Sequence, residues 1–529
     1  MNVVTSTGTV QADLQTFRLR TYVEQLEQQG EVERHTAQID LVDIAARLDG
    51  NPKAVLFEAA GPEKACLVGN VMGSRDRLAL AFGVDKRDLL ATVTQRLSGS
   101  IPPVEVSSTD APCHEIVWQG DDADFTRLPV HLQHDLDGGP YISAGIDITT
   151  AADGSRRNAG YRRMMLRGRK EAGIDLIAPS DLRGIYGEYA SQKHRMPMVF
   201  VIGSHPADAL AATSMTAHDD ELGVMGSVRG APVPLVKCVT QDAWVPADAE
   251  IVLEGYLDER GWSQPEGPYG EFIGYYGHMK TNPVFHLTAI TMRRDALFQT
   301  LTIGGRHLAH TDTAQLCSLR SEATIWQALE TAIRFPVDVY CTPSCGGMFN
   351  ARISLKQSYP GEVRNAMSAA FGSKADCKHV FAVDPDIDIF SDDQMDWAFA
   401  TRFQADRDLM VTAGYRAVPL DPSLNGSRQG AKAGFDLTLP FGWDPGTEYL
   451  VPEPPTLATA RNQTVLGLLQ SGPQHFRELL EGTGSRDGRD IIIELDRLRD
   501  TPGLERLHDG RYALAGTTPK GETHGSAGQ

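Results

Sequence analysis

Gln264-Pro265-Glu266-Gly267-Pro268-Tyr269-Gly270-Glu271-Phe272-Ile273-Gly274-Tyr275-Tyr276-Gly277 places two carboxylates five residues apart in a stretch that cannot be a helix. Its two prolines remove amide donors and its four glycines open left-handed backbone. Backbone geometry, rather than helical spacing, therefore aims Glu266 and Glu271. Carboxylates held that rigidly can move a proton when their surroundings push their proton affinities apart. A solvated hairpin loop is the competing reading, since turns favour these residue types. Tyr269, Phe272, Tyr275 and Tyr276 weigh against it, because large rings seldom crowd a solvated turn.

Working outward, residues 142–149, 198–202, 233–238, 251–257, 284–292 and 297–303 are strand-like runs separated by turn residues, with few helical stretches between them. A β-barrel or sandwich is the economical reading. Upstream, Asp13 is placed to cap a helix with an apolar face of Leu19, Tyr22, Val23 and Leu26 and a stop at Gly30. Short strands at 55–57 and 67–68 and a helix over 85–97 complete a small α/β domain that ends near Pro102-Pro103.

From about Cys317 helix and strand alternate: 321–333 helical, 351–355 extended, 362–371 helical, 379–383 extended, then a helix opening at a Ser391/Gln394 capping box. Beyond Pro452-Glu453-Pro454-Pro455, helices at 464–470, 476–481 and 487–500 precede a hairpin over 504–514 turning at Asp509-Gly510. That order resembles a winged helix. Its seven Arg against nine Asp or Glu give no basic face for DNA, so a packing or oligomer-contact module is the expected role.

Composition narrows the function classes. At 529 residues two or three domains are expected, and 41% apolar with 22% charged residues is ordinary for a soluble protein. A net charge of −19 disfavours nonspecific nucleic-acid or anionic-membrane binding. Seven scattered cysteines without Cys-x-x-Cys fit reduced thiols in a cytoplasmic protein, and Cys341 with Cys345 is only a weak metal hint. No run of about 20 apolar residues and no signal-peptide core is present, so neither a membrane span nor secretion is expected.

The opening stretch matches Glu-Gly-Pro-aromatic-Gly-Glu followed by Gly-Tyr, and so resembles the UbiD-type decarboxylases, which use prenylated flavin mononucleotide. Asn158-Ala159-Gly160-Tyr161-Arg162-Arg163, read as a turn after the 142–149 strand, resembles that family's Asn-x-Gly-x-x-Arg segment. Thr213-Ser214-Met215, Glu221 ahead of Leu235-Val236-Lys237-Cys238, Lys432 within Gly430–Phe435 and Asp124–Pro129 fall in the family's order. The likeness runs from about residue 13 to 450.

With the resemblance, the expected fold is multidomain α+β/α/β: an N-terminal α/β domain (1–112), a central split β-barrel of flavin-reductase type (113–315) and a C-terminal α/β domain (316–455); the residues themselves add the winged-helix-like extension (462–515) and a small, polar tail expected to be disordered (516–529). The resemblance implies reversible, non-oxidative decarboxylation of an aromatic, heteroaromatic or α,β-unsaturated acid, with release of CO₂. Arg163, Glu266 and Glu271 would be catalytic, Glu271 donating the proton that replaces CO₂ and Glu266 pairing with Arg163. Asn158, Tyr161, Arg163, Ser180, Asp181, Ser214, Met215, Glu221 and Lys432 would bind the cofactor, with Asn158, Asp181 and Glu221 as ligands of Mn²⁺ or Mg²⁺ and K⁺ as a further ion.

One position departs from the pattern. Where relatives commonly carry a histidine ligand, this chain has Asp181, which could supply an oxygen or only cap a helix starting at Leu182. His307 and His310, in a glycine-rich loop, are open to substrate contact or to plain solvation. The family also implies a flavin prenyltransferase as cofactor supplier and a homo-oligomer, dimer or hexamer. A carboxylase subunit of a larger assembly and a flavin-binding regulatory protein remain as alternative functions.

Overall fold

The computed structural model describes residues 12–214, 220–443, 451–457 and 462–516. Met215 and the 517–529 part of the expected tail lie outside the described residues. The chain divides into two compact units, residues 1–439 and 440–529.

In the first unit, among the described residues, six strands close a barrel in the order Ile251–Leu257, Met196–Ile202, Tyr141–Thr150, Arg157–Leu166, Glu171–Ile174 and Val284–Met292. The first and last of these pair antiparallel and seal it. Ile142, Met164, Phe200, Leu253, Phe285 and Ile290 fill the interior. The barrel expectation holds, with two corrections. Residues 157–166 are a full barrel strand, not a turn after one, because the short hairpin at 151–156 folds the chain straight back. Helices Asp181–Ser191, Pro206–Thr213 and Glu221–Arg229 also intervene between strands. Their small residues (Ala207, Ala209, Ala211, Gly223, Gly226) give weak apolar periodicity, so the pattern was easy to miss.

Barrel side chains alternate across the wall. On Arg157–Leu166, Met164 packs inside, while Ala159 joins the cluster that includes Leu210 and Leu222 of the covering helices. The N-terminal part adds a four-stranded sheet of Val32–His35, Ala54–Ala60, Ala65–Gly69 and Phe298–Thr300. Its helix begins at Leu19 after Arg18, and Asp13 instead closes its own turn on the amides of Gln15 and Thr16. The 85–97 helix starts four residues late, at Leu89, and Arg75–Phe82 is an unexpected helix capped by Ser74.

The C-terminal part of this unit is a five-stranded sheet ordered Pro336–Cys341, Asn350–Leu355, His379–Val383, Gln429–Asp436, Leu409–Arg416. The helix expected from Ser321 begins at Asp312 and runs to Ala332. Ser391 caps Asp392–Arg402 through the Gln394 amide, but the Gln394 side chain accepts from Asp388, leaving the box half made.

The second unit contains helices Val465–Ser471, Phe476–Thr483 and Gly488–Leu498 and the hairpin Leu504–Arg506/Tyr512–Leu514. Val465, Leu469, Leu479, Ile491, Leu495 and Leu514 make its own small core. Gly510 takes φ +84° at the turn, a conformation that costs glycine nothing. No helix among the described residues is long and apolar enough to cross a membrane.

Candidate active site

Glu266 ends the strand Gln264–Glu266, opposite Lys280 of Lys280–Asn282. Gly267 takes φ +95°, and the Gly267–Pro268 peptide is cis. This break turns the chain so that Tyr269 and Glu271 return to the same cluster as Glu266. Gly138 lies so near that a Cβ there would sit 2.3 Å from the Gly267 oxygen. Both carboxylates are buried, at 0% and 4% exposure, which excludes the solvated-loop reading.

Their common partner is Arg163. Its Nη1 and Nη2 donate to Glu271 at 3.2 and 3.0 Å, and its Nε donates to Glu266 at 3.3 Å. The guanidinium lies 4.5 Å from the centre of the Tyr269 ring. Burial opposes its charge, but Glu271, Glu266 and Asp175 outweigh that and push the Arg163 pKa up. Glu266 also accepts from the Tyr141 hydroxyl at 2.9 Å and from Asn282 Nδ2 at 3.2 Å.

The sequence reading missed two members of this cluster. Asp175 accepts from Arg163 Nη2 and Lys280 Nζ, each at 2.9 Å, and Lys280 also reaches Glu271 at 3.4 Å. Burial raises the Asp175 pKa, but Arg163 and Lys280 prevail and hold it below the usual range. The signal was the Arg167-Gly168-Arg169-Lys170 turn. Once 157–166 is read as a strand, the register Met164↔Ile174 brings Asp175 across from Arg163.

Five residues earlier on that strand, Asn158 Nδ2 and the Ala159 amide donate to Glu221 Oε2 at 2.6 and 2.5 Å. Among the described residues, Asn158 Oδ1 and the Tyr161 hydroxyl are buried without a hydrogen-bond partner. Burial drives the Glu221 pKa from 4.5 to about 7, with Asp147 and Asp181 adding to it against the two donors. An orphaned amide oxygen beside a carboxylate that is costly to ionise fits a hard cation.

Asp181 is not drawn into that pair. Ser180 caps the helix, Asp181 is its first residue, and its carboxylate is 66% exposed, 3.5 Å from Arg156 Nη1. Among the described residues no group of three or more His, Cys, Asp or Glu has metal-holding spacing. Ser214 closes the end of Pro206–Thr213, its hydroxyl donating to the Leu210 carbonyl at 2.7 Å.

Lys432 sits apart from this cluster. Its ammonium donates to the Phe371 carbonyl at 2.9 Å within the C-terminal sheet domain, and burial pulls its pKa down.

A cavity of ≈260 Å³ opens beside Arg163, lined by Tyr161, Arg163, Asp175, Thr213, Glu271 and Cys317 among others. A second, of ≈420 Å³, shares Leu301 and Ile303 with it and is lined by His131, His134 and His310. His310 thus faces a cavity, whereas His307 is half exposed and pairs with Asp49 at 3.1 Å. Burial drives the His131 pKa down to about 4, so this ring is neutral.

Family models agree with this architecture. The 3-octaprenyl-4-hydroxybenzoate carboxy-lyase N-terminal, Rift-related and C-terminal domains match residues 23–97, 104–307 and 314–437. The chain belongs to the UbiD family, and it is a carboxy-lyase. It is 28% identical over 422 residues to an anhydromevalonate phosphate decarboxylase of Methanosarcina mazei, covering 79% of this chain and 95% of that one.

The UbiD-class enzyme HmfF from Pelotomaculum thermopropionicum, solved in complex with FMN, superposes with a TM-score of 0.78 at 33% identity, over 83% of this chain and 97% of that one. The vanillic acid decarboxylase of Sedimentibacter hydroxybenzoicus gives a TM-score of 0.75 at 28% identity, over 83% and 96%.

Proposed function

We propose that the protein decarboxylates, reversibly and without net oxidation, an aromatic, heteroaromatic or α,β-unsaturated carboxylic acid, using prenylated FMN and a divalent cation. The observation that carries this is Arg163, on the wall of one cavity with its side chain 14% exposed and shared by the buried Glu266 and Glu271. HmfF, 33% identical, has been solved with FMN and, in an evolved dimeric form, with prenylated FMN.

Asn158 Oδ1 and Glu221 would hold Mn²⁺ or Mg²⁺, with Asp181 the third proposed oxygen and K⁺ a further ion; Tyr161, Ser180 and Ser214 would border the phosphate side of the cofactor. When bound, prenylated FMN supplies the electron sink that an sp² carbon lacks. Arg163 presents two N–H groups in a plane, a geometry that suits a carboxylate. As the C–C bond to the departing CO₂ breaks, Glu271 places its proton on the carbon left behind. Glu266, fixed by Tyr141 and Asn282, keeps Arg163 charged and aimed.

The substrate class follows the relatives in part: vanillic and 3,4-dihydroxybenzoic acid decarboxylases support an aromatic acid, and the anhydromevalonate phosphate decarboxylase an unsaturated one. Exposed apolar side chains on the helix Asp392–Arg402 (Trp397, Phe399) and on the sheet-edge strand Leu409–Arg416 (Val411) support a homo-oligomer. The test is CO₂ release from those three acids by protein coexpressed with a flavin prenyltransferase. Turnover of at least one, lost in Glu271→Gln, supports the reading; equal turnover by Glu271→Gln rejects it.

A further inference from the structure

Around Arg163 the charges do not balance. Arg163 and Lys280 face three carboxylates, Glu266, Glu271 and Asp175, giving a formal excess of one negative charge. One proton among these five groups would bring them to neutrality. Glu266 is committed as an acceptor to Tyr141, Asn282 and Arg163. Asp175 accepts from Arg163, from Lys280 and, more loosely, from the Ile177 amide and Asn282 Nδ2, each at 3.4 Å. Among the described residues, the Glu271 carboxylate is held only by cations that it shares.

Lys280 lies 0.5 Å closer to Asp175 than to Glu271, at 2.9 against 3.4 Å. We infer that Asp175 is a positioning residue for the proton donor: it keeps Lys280, and one arm of Arg163, from fixing Glu271 as a carboxylate. The inference rests on the proposed role of Glu271.

When a substrate carboxylate takes the Arg163 fork, Lys280 is the cation left beside Glu271, and Asp175 is what holds it off. Without Asp175 the cluster has two cations and two carboxylates, and no proton is required. The other charged or titratable groups nearby do not substitute for it: Arg167, a third cation, lies on the Glu266 side and donates to the Pro265 carbonyl rather than to Glu271 or Asp175. Arg162 is paired with Asp147 at 2.9 Å, and Tyr141 and Tyr269 are phenols whose pKa values burial pushes up. Asp137 accepts from the Gly270 amide and from the His134 amide, each at 2.9 Å, and the Cys317 thiol is also pushed up by burial.

The test is an infrared titration of the full-length protein, following the protonated-carboxyl band that disappears in Glu271→Gln. Asp175→Asn is expected to move its midpoint toward lower pH by about one unit, a tenfold change in proton affinity. Lys280→Met is expected to move it the other way, and the double variant to return it toward wild type. A merely structural role for Asp175 would leave the midpoint unmoved, and an unmoved midpoint in folded Asp175→Asn, or no recovery in the double variant, overturns the inference. The band reports protonation without turnover, so it can fail while Glu271→Gln still abolishes decarboxylation. Conversely, an active Glu271→Gln sinks the functional reading whatever the band does.

Discussion

Two patches five residues apart on the barrel strand Arg157–Leu166 are built on opposite terms. Around Arg163 each polar group has a hydrogen-bond or ion-pair partner, although the formal charges do not cancel: three carboxylates, two cations, a phenol and an amide meet within 3.4 Å. Around Asn158 the supply falls short: among the described residues its Oδ1 is buried without a hydrogen-bond partner, beside a carboxyl pushed up to about 7. Buried polar atoms normally find partners, and each exception needs a reason. The difference teaches that the described residues complete the polar contacts around Arg163 among themselves, whereas around Asn158 they leave an acceptor open, as the proposed cation site requires.

The sharpest way to break that contrast is Glu271→Gln. It should lower CO₂ release by about 10³-fold or more, as loss of a general acid does, while flavin absorbance stays. Next in size, Asn158→Ala should weaken Mn²⁺ binding by more than about tenfold in calorimetry and strip the flavin absorbance, with the Arg163 cluster intact. Equal flavin loss in both variants would erase the distinction between the patches.

A pH experiment sharpens it further. The Glu221 carboxyl sits at about 7 in the folded chain against 4.5 ordinarily, so folding favours its protonated form. That contribution is full below about pH 4.5 and is lost as pH rises through 7, since the unfolded chain then releases the proton more readily. The melting temperature of metal-free protein should therefore fall over that window, Mn²⁺ should reverse the fall, and Glu221→Gln should flatten it. The smallest effect is expected from Tyr141→Phe, which deletes one of three bonds to Glu266. About 1 kcal/mol is at stake, roughly a fivefold loss in kcat with an unchanged flavin spectrum.

How much of this was legible in the sequence follows from local physics. The proline and glycine frame of Glu266 and Glu271 showed that the pair was aimed by backbone, and the strands 251–257 and 284–292 announced themselves by composition. The strand 157–166 did not, because Arg157, Asn158, Arg162 and Arg163 make it polar on both faces where it lines a site. Reading it as a turn hid Asp175, whose place opposite Arg163 exists only through the strand register. Lys280 was hidden for a similar reason, since only its pairing with Glu266 brings it to the cluster. The reach of Lys432 depends on packing that no local pattern encodes, and the structure gives its ammonium to the Phe371 carbonyl.

The central claim is that this cavity works with prenylated FMN, and the mass and absorbance spectrum of the small molecule released from protein coexpressed with a flavin prenyltransferase test it most directly. The account predicts the mass of prenylated FMN and its altered spectrum; unmodified FMN alone, or no flavin, would contradict it.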